Sequence, residues 1–181
     1  MILLESERLY FRPLTTQDVD LVVELMLRNR HFWTIHEPRH QDAYYTREVQ
    51  YEKLAEAEEQ LRLGKEYSWG IFLKESSRLI GSISIYSIRR LPFSSAFVGY
   101  SLDESVTGQG LGTEAVNAVL SFAFRDFGLH RMEALVSPKN MASMRVLEKV
   151  GMMQEGRMRK NLFINGKWED HFLYSMLEED F

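Results

Sequence analysis

Cysteine is absent from this chain of 181 residues. That excludes disulfides, cysteine-ligated metals and a thiol nucleophile, so any thiol in the chemistry must arrive with another molecule. Proline is scarce, at 4 residues. No run approaches the ~18 apolar residues of a membrane-spanning helix. Basic residues show no excess: 22 Lys and Arg stand against 26 Asp and Glu, a formal charge of −4, so no broad basic footprint points to nucleic acid. Repeats, linkers and low-complexity stretches are missing too, which predicts one domain over residues 1–181. The opening MILLESERLYFRP puts acids and arginines where a signal peptide would be apolar, so the expected location is the cytoplasm, with no membrane partner. What is present is ordinary globular composition, 45% hydrophobic and 27% charged. Acids gather at Glu48, Glu52, Glu56, Glu58 and Glu59, and again at Glu178–Asp180. They read as a solvated helix face and tail, or else as a surface for a cationic partner.

Hydrophobic period sets the elements. Residues 7–12 alternate as a strand. Thr15 and Asp18 resemble a helix start, with Val19, Val22, Val23 and Met26 as its apolar stripe. A second helix is predicted from about Thr46 to Leu63, with Tyr51, Leu54, Ala57 and Leu61 on one face and Gly64 as its stop. Between them lies RNRHFWTIHEPRHQDAYY, too polar for core and too aromatic for a passive linker. Strands follow at 67–74, 79–87 and 96–102, then a long helix over 109–127, a strand at 131–137 and a short helix over 140–150. Asn165-Gly166 marks a closing hairpin. This order predicts an α/β fold: a mixed, mostly antiparallel sheet of six or seven strands, with helices on both faces and one parallel pair across 96–137.

The most informative segment is GYSLDESVTGQGLGT, residues 99–113. A strand ends, Gly108, Gly110 and Gly112 follow, and a helix starts at once. Glycines allow the backbone N–H groups to converge on one hollow, and a helix N-terminus adds unpaired donors and partial positive charge. Thr113 lacks the preceding lysine of a P-loop. It also occupies the third-glycine place of a dinucleotide fingerprint, and no kinase-type magnesium motif is present. What remains is an anion with two or three phosphates, held by backbone without a metal.

TGQGLGTEA is similar to the acetyl-CoA pyrophosphate motif of the GNAT acetyltransferases, Gln/Arg-x-x-Gly-x-Gly/Ala. Downstream, Asn140-Met-Ala-Ser143, Leu147-Glu-Lys-Val-Gly151 and Glu155-Gly156 resemble that family's closing pattern. INGKWEDH (164–171) and NRHFWTIHEP (29–38) resemble its RimJ/RimL-type branch, which acetylates ribosomal-protein N-termini. Thr107 departs from the pattern, standing where Gln or Arg usually opens the motif; the expected consequence is weaker phosphate binding.

The resemblance implies acetyl-CoA as co-substrate and a protein N-terminus or other primary amine as acceptor. It implies that Thr107, Gly108, Gln109, Gly110, Leu111, Gly112 and Thr113 hold the pyrophosphate. Tyr100, Ser101 and Leu102 would lie along pantetheine, where the fourth and fifth strands splay. Asn140 resembles the asparagine that contacts coenzyme A, and also reads as a plain helix N-cap. Ser143 resembles the hydroxyl that protonates the departing thiolate, with an ordinary first-turn residue as the alternative. The branch's glutamate before the hairpin turn is replaced here by Leu162, which leaves the general base open. A strong base is not essential for an α-amine: about one in ten is neutral at pH 7, against fewer than about one lysine in a thousand. His36 and Glu37 are candidates to bind the incoming ammonium or to relay its proton through water. His31, Phe32, Trp33, Tyr44 and Tyr45 either line the acceptor cleft or pack the first helix pair.

His36-Glu37-Pro38-Arg39-His40 also spells HExxH, but Pro38 would leave His36 ahead of any helix, so no metal site is expected. Arg89, Arg90 and Arg131 are within the range of residues that reach coenzyme phosphates, although nothing in their spacing demands it. Acetylation of a polyamine, amino acid or aminoglycoside is the rival enzyme reading, and a coenzyme-binding module without turnover the rival from another class. A homodimer is compatible with the sequence without being required by it.

Overall fold

The computed structural model describes residues 3–181. Eight strands form one sheet in the order β1-β2-β3-β4-β5-β6-β8-β7. They are β1 Leu4–Glu5, β2 Leu9–Arg12, β3 Tyr67–Leu73, β4 Leu79–Arg89, β5 Ser95–Leu102, β6 Arg131–Val136, β7 Met153–Ile164 and β8 Lys167–Leu177. The helices are α1 Val19–Trp33, α2 Arg47–Arg62, α3 Leu111–Ser121 and α4 Met141–Lys149. All strand pairs are antiparallel except β5 with β6. This is the expected mixed α/β architecture, with one strand more: β1, two residues long, adds an edge beside β2.

α1 packs on α2 over one face of the sheet, and α3 on α4 over the other. The α3 side holds the main core. Leu111, Ala115, Val116, Val119 and Leu120 press on Leu9, Ile71, Ile83, Ile85, Val98 and Met132. Completing apolar faces in this way removes each side chain from water for roughly 1.5–3 kcal/mol. On the other face the buried apolar cluster among the described residues is smaller, Leu25, Phe72 and Leu79, with Tyr10, Leu14, Val22 and Trp33 packed against it.

Three helix readings change. α1 runs on to Trp33, taking in half of the aromatic segment. Its inner line is Val19, Val22, Leu25, Asn29 and Trp33, with Met26 facing the cavity on this side, so the stripe shifts away from Val23 toward Leu25 and Asn29. In α2 the inner line starts at buried Gln50, because its amide donates to the Tyr44 carbonyl at 2.5 Å, and Tyr51 is turned outward. The predicted 109–127 helix becomes α3 followed by a π turn over Phe122–Asp126. That wider turn brings Phe122 and Phe127 onto one side, rings 6.0 Å apart, against Tyr67 and Trp69.

The hairpin behaves as read: Asn165 and Gly166 both take positive φ, 50° and 82°, the pattern of a type I′ turn. No helix among the described residues is long and apolar enough to cross a membrane.

Candidate active site

The site begins where two strands part. β5 and β6 pair only through Ser95–Arg131, Ala96–Met132 and Phe97–Glu133, although β5 continues to Leu102 and β6 to Val136. Beyond Phe97 the two strands splay, and β5 loses its partner on that side. At the end of β5 the chain makes a short turn, then the glycine loop. Asp103 anchors this turn. It is buried, accepts hydrogen bonds from Arg28, Arg78 and the Ser105 N–H, and starts the 3-10 turn Glu104–Val106. Burial opposes its ionisation, but these donors outweigh burial and hold the carboxyl down at about 2.

Gly108 and Gly110 have φ of +75° and +79°, a region that favours glycine, and Gly110 is the N-cap of α3. Gly110 offers no capping side chain, so the first-turn N–H groups of α3 are left for another acceptor. A Cβ on Gly108 would meet nothing within 4 Å, whereas one on Gly112 would press on Leu102 and Val146 at 3.2 and 3.3 Å. The loop is therefore an open cradle seated on a tightly packed helix start, and it fits a phosphate anion. Arg8 braces it: Nε donates to Glu114 at 2.7 Å and Nη1 to the Gln109 carbonyl at 3.0 Å. Thr107 and Gln109 turn their side chains back onto the Glu104 and Ser105 carbonyls.

Neighbouring residues of β5 point to opposite faces, and each meets a titratable or hydroxyl partner. On the α4 side the Tyr100 hydroxyl lies 2.8 Å from Ser143 Oγ. Burial pushes the Tyr100 phenol up to about 12, against the smaller opposing pull of Ser143, so it stays a proton donor. Asn140 caps α4 by accepting from the Ser143 N–H at 3.1 Å, which fixes where that hydroxyl stands. On the α1 side Ser101 donates to Glu37 at 2.6 Å. Burial raises the Glu37 carboxyl, and the Ser101 hydrogen bond offsets only part of this. The indole of Trp33 donates to the Leu102 carbonyl at 2.7 Å.

The segment after α1 forms a strap across the open end of the splay. Glu37 ties it to β5, and the Arg39 N–H donates to Asn165 at the hairpin tip at 2.8 Å. A cavity lies on each side. The first, about 260 Å³, is lined among others by Trp33, Glu37, Tyr44, Tyr45, Leu54 and Ser101. The second, also about 260 Å³, has His36 in its wall beside the hairpin.

This arrangement can be set beside known proteins. The acetyltransferase (GNAT) domain profile matches residues 8–153. The chain belongs to the GNAT acetyltransferase family. The probable N-acetyltransferase YjcK of Bacillus subtilis is 43% identical over 178 residues, covering 98% of each chain. The ribosomal protein uS5-alanine N-acetyltransferase of Escherichia coli is 27% identical over 98% of this chain and 91% of its own. Among solved structures, the ribosomal-protein-S5-alanine acetyltransferase of Vibrio fischeri superposes with a TM-score of 0.92 at 33% identity, covering 99% of this chain and 98% of that one. RimJ of Mycobacterium smegmatis, solved with a CoA-disulfide, gives 0.89 at 28% identity, over 94% and 82%. The protein is thus an N-acetyltransferase of GNAT type, related to the ribosomal-protein acetyltransferases.

Within this GNAT frame the sequence-predicted residues divide. Tyr100, Ser101, Leu102, Asn140 and Ser143 come together at the splay with Trp33 and Glu37, and the loop Thr107–Thr113 lies at the end of β5. His36 sits in the turn after α1 and lines the second cavity. His31 faces solvent on α1 and lines neither cavity. His36 and His40 share no helix, and His40 stacks on Tyr44 at 3.6 Å instead. Arg89 and Arg131 are engaged by Glu133, and Arg131 also by Glu155, at the paired end of β5 and β6; Arg90 lies over the Phe127 ring.

Sequence reading missed Arg8, Asn29 and the hydroxyl of Tyr100. Asn29 is buried and accepts from the Glu104 N–H at 2.8 Å, joining α1 to the turn before the loop. Its spacing of four from both Leu25 and Trp33 was the available signal. Arg8 carried none, since its partner Glu114 is 106 residues away.

Proposed function

We propose that this enzyme transfers the acetyl group of acetyl-CoA directly to the α-amine of a protein N-terminus, that of a ribosomal protein being the leading candidate. One observation carries the reading: adjacent residues of β5 hold a proton acceptor and a proton donor on opposite faces, Glu37 through Ser101 and Ser143 beside Tyr100. Acetyl-CoA would supply the activated thioester, bound with its phosphates on the Gly108–Thr113 cradle. Arg8, ion-paired with Glu114, holds the Gln109 carbonyl and so fixes the backbone of the cradle where Thr107 replaces the usual Gln or Arg.

The reaction then needs one proton removed from the amine and one given to the departing thiolate. Glu37, its carboxyl raised by burial, takes the first or anchors the ammonium that gives it up to water. Ser143 gives the second, and Tyr100 donates to Ser143 as it does so, limiting the charge left on the serine oxygen. A thiolate of ordinary pKa, ~8.5, needs no stronger acid. The kinship with uS5-alanine acetyltransferases supports a peptide acceptor.

The test is thiol release from acetyl-CoA against N-terminal peptides, polyamines and aminoglycosides. Turnover is expected with peptides. Turnover with polyamines alone would overturn the acceptor. Ser143→Ala is expected to lower kcat by roughly tenfold to a hundredfold while leaving acetyl-CoA affinity near its starting value. Full kcat in that variant would remove Ser143 from the chemistry.

A further inference from the structure

The second cavity has a charge that the rest of the molecule does not. The chain carries −4 overall, yet Arg39, Lys139 and Lys167 line this space with His36 and His171, against a single acid, Glu169. Lys139 and Glu169 meet at 3.5 Å. Arg39 and Lys167 make no side-chain ion pair among the described residues, so two cations are left over. His171 is only 4% exposed. Its Nδ1 lies 3.4 Å from the Glu169 carbonyl, and Nε2 has no protein partner among the described residues. That nitrogen is not sealed off from solvent, and His171 forms part of the cavity wall, so Nε2 is free to meet a ligand there.

The cavity is also placed for use. His36 in its wall is the residue before Glu37, and Lys139 is the residue before Asn140, the cap that positions Ser143. An acceptor whose amine lies between Glu37 and Ser143 has this space within reach of its next few atoms. The first cavity differs: it is largely apolar, its Arg30 is already paired with Asp42, and its remaining charged group is the carboxyl of Glu37, which disfavours a second carboxylate.

We propose that this cavity binds a carboxylate of the acceptor, and that the enzyme therefore selects N-termini with Asp or Glu among their first few residues. This rests on the peptide-acceptor reading above. Leftover cations at the cavity mouth would draw such a peptide in and disfavour a basic one or a polyamine. A free amino acid presents the same chemistry through its α-carboxylate, and the experiment separates the two sources.

The test compares kcat/KM for three peptides of one length, acidic, neutral or basic at their second and third residues, beside a free amino acid and a polyamine. The acidic peptide is expected to exceed the basic one by about tenfold or more at low salt, with the gap closing as ionic strength rises. In the double variant Arg39→Glu with Lys167→Glu the order should reverse, and Lys167→Gln should fall between. The ratio is read within each variant, so a loss of overall activity does not enter it. Equal rates for acidic and basic peptides, or a preference that survives charge reversal, overturn the proposal while leaving peptide acetylation intact. Turnover of the amino acid with no peptide turned over keeps the carboxylate site and overturns the peptide. Turnover of the polyamine alone overturns both.

Discussion

The two faces of the sheet are built to different standards. Under α3 and α4 the core is deep and dry, with Val116, Val119, Leu120, Ile85 and Met132 fully buried. Under α1 and α2 the apolar cluster shrinks to Leu25, Phe72 and Leu79, and the apolar side chains of Tyr45 and Leu54 share the interior with Asn29, Gln50 and the raised carboxyl of Glu37 beside a cavity. The first face carries the phosphate cradle, where a single geometry is wanted. The second carries the acceptor side, where packing is traded for reactive groups. Stability belongs mainly to one face and selectivity to the other, because close packing leaves no room for a substrate and a substrate site leaves surfaces unpacked.

That contrast can be broken most forcefully at the cradle. Gly110→Asp combines a left-handed φ of +79° with a negative charge where phosphate is to bind. Acetyl-CoA affinity by calorimetry is expected to fall roughly a hundredfold or more, about 3 kcal/mol. Unchanged affinity would mean that the cofactor binds elsewhere. Glu37→Gln tests the other face: kcat/KM for the peptide should drop about a hundredfold with acetyl-CoA affinity little altered. In the parent enzyme kcat/KM should climb with pH through the raised Glu37 range, and the Gln variant should keep only the limb of the acceptor amine.

The faces should also separate in stability. Leu120→Ala empties the dry core and is expected to cost about 3–4 kcal/mol in denaturant unfolding, with no change in acceptor KM. Leu54→Ala lines the first cavity, where water and nearby side chains can fill the gap. It should cost only about 1.5–2 kcal/mol and raise acceptor KM. Equal losses would erase the distinction. The smallest effect has the opposite sign. A carboxyl raised in the fold costs more to ionise there than in the unfolded chain, so Glu37 weakens the fold as pH rises through its folded pKa. Glu37→Gln should therefore be slightly more stable than the parent at neutral pH, and equal to it once the solution is acid enough to protonate Glu37 in both states.

Much of the scaffold was readable from residues close together in the chain. The Gly108–Gly112 spacing, the apolar stripe of α3 and the Asn165-Gly166 turn each express a local rule, in which backbone freedom or helical period decides the outcome within a few residues. The aromatic segment was less legible. Pro38 and the density of polar groups suggested a break, yet α1 continues through Trp33, because Asn29 finds a donor on the turn before the loop and Trp33 an acceptor on β5. Tyr51 and Gln50 exchanged places for a similar reason: a carbonyl at Tyr44 outweighed the hydrophobicity of an aromatic ring.

By itself, then, the sequence determined the order of elements, the anion cradle and the kind of chemistry the closing motifs resemble, since those depend on short-range geometry. Tertiary structure alone decided the pairings that bridge distant segments. Glu37 meets Ser101 across 64 residues, Tyr100 meets Ser143 across 43, and the strap reaches the hairpin across 126. Such contacts need the chain to close long loops first, and the entropy of that closure is repaid by the packed sheet between them, which no local pattern encodes.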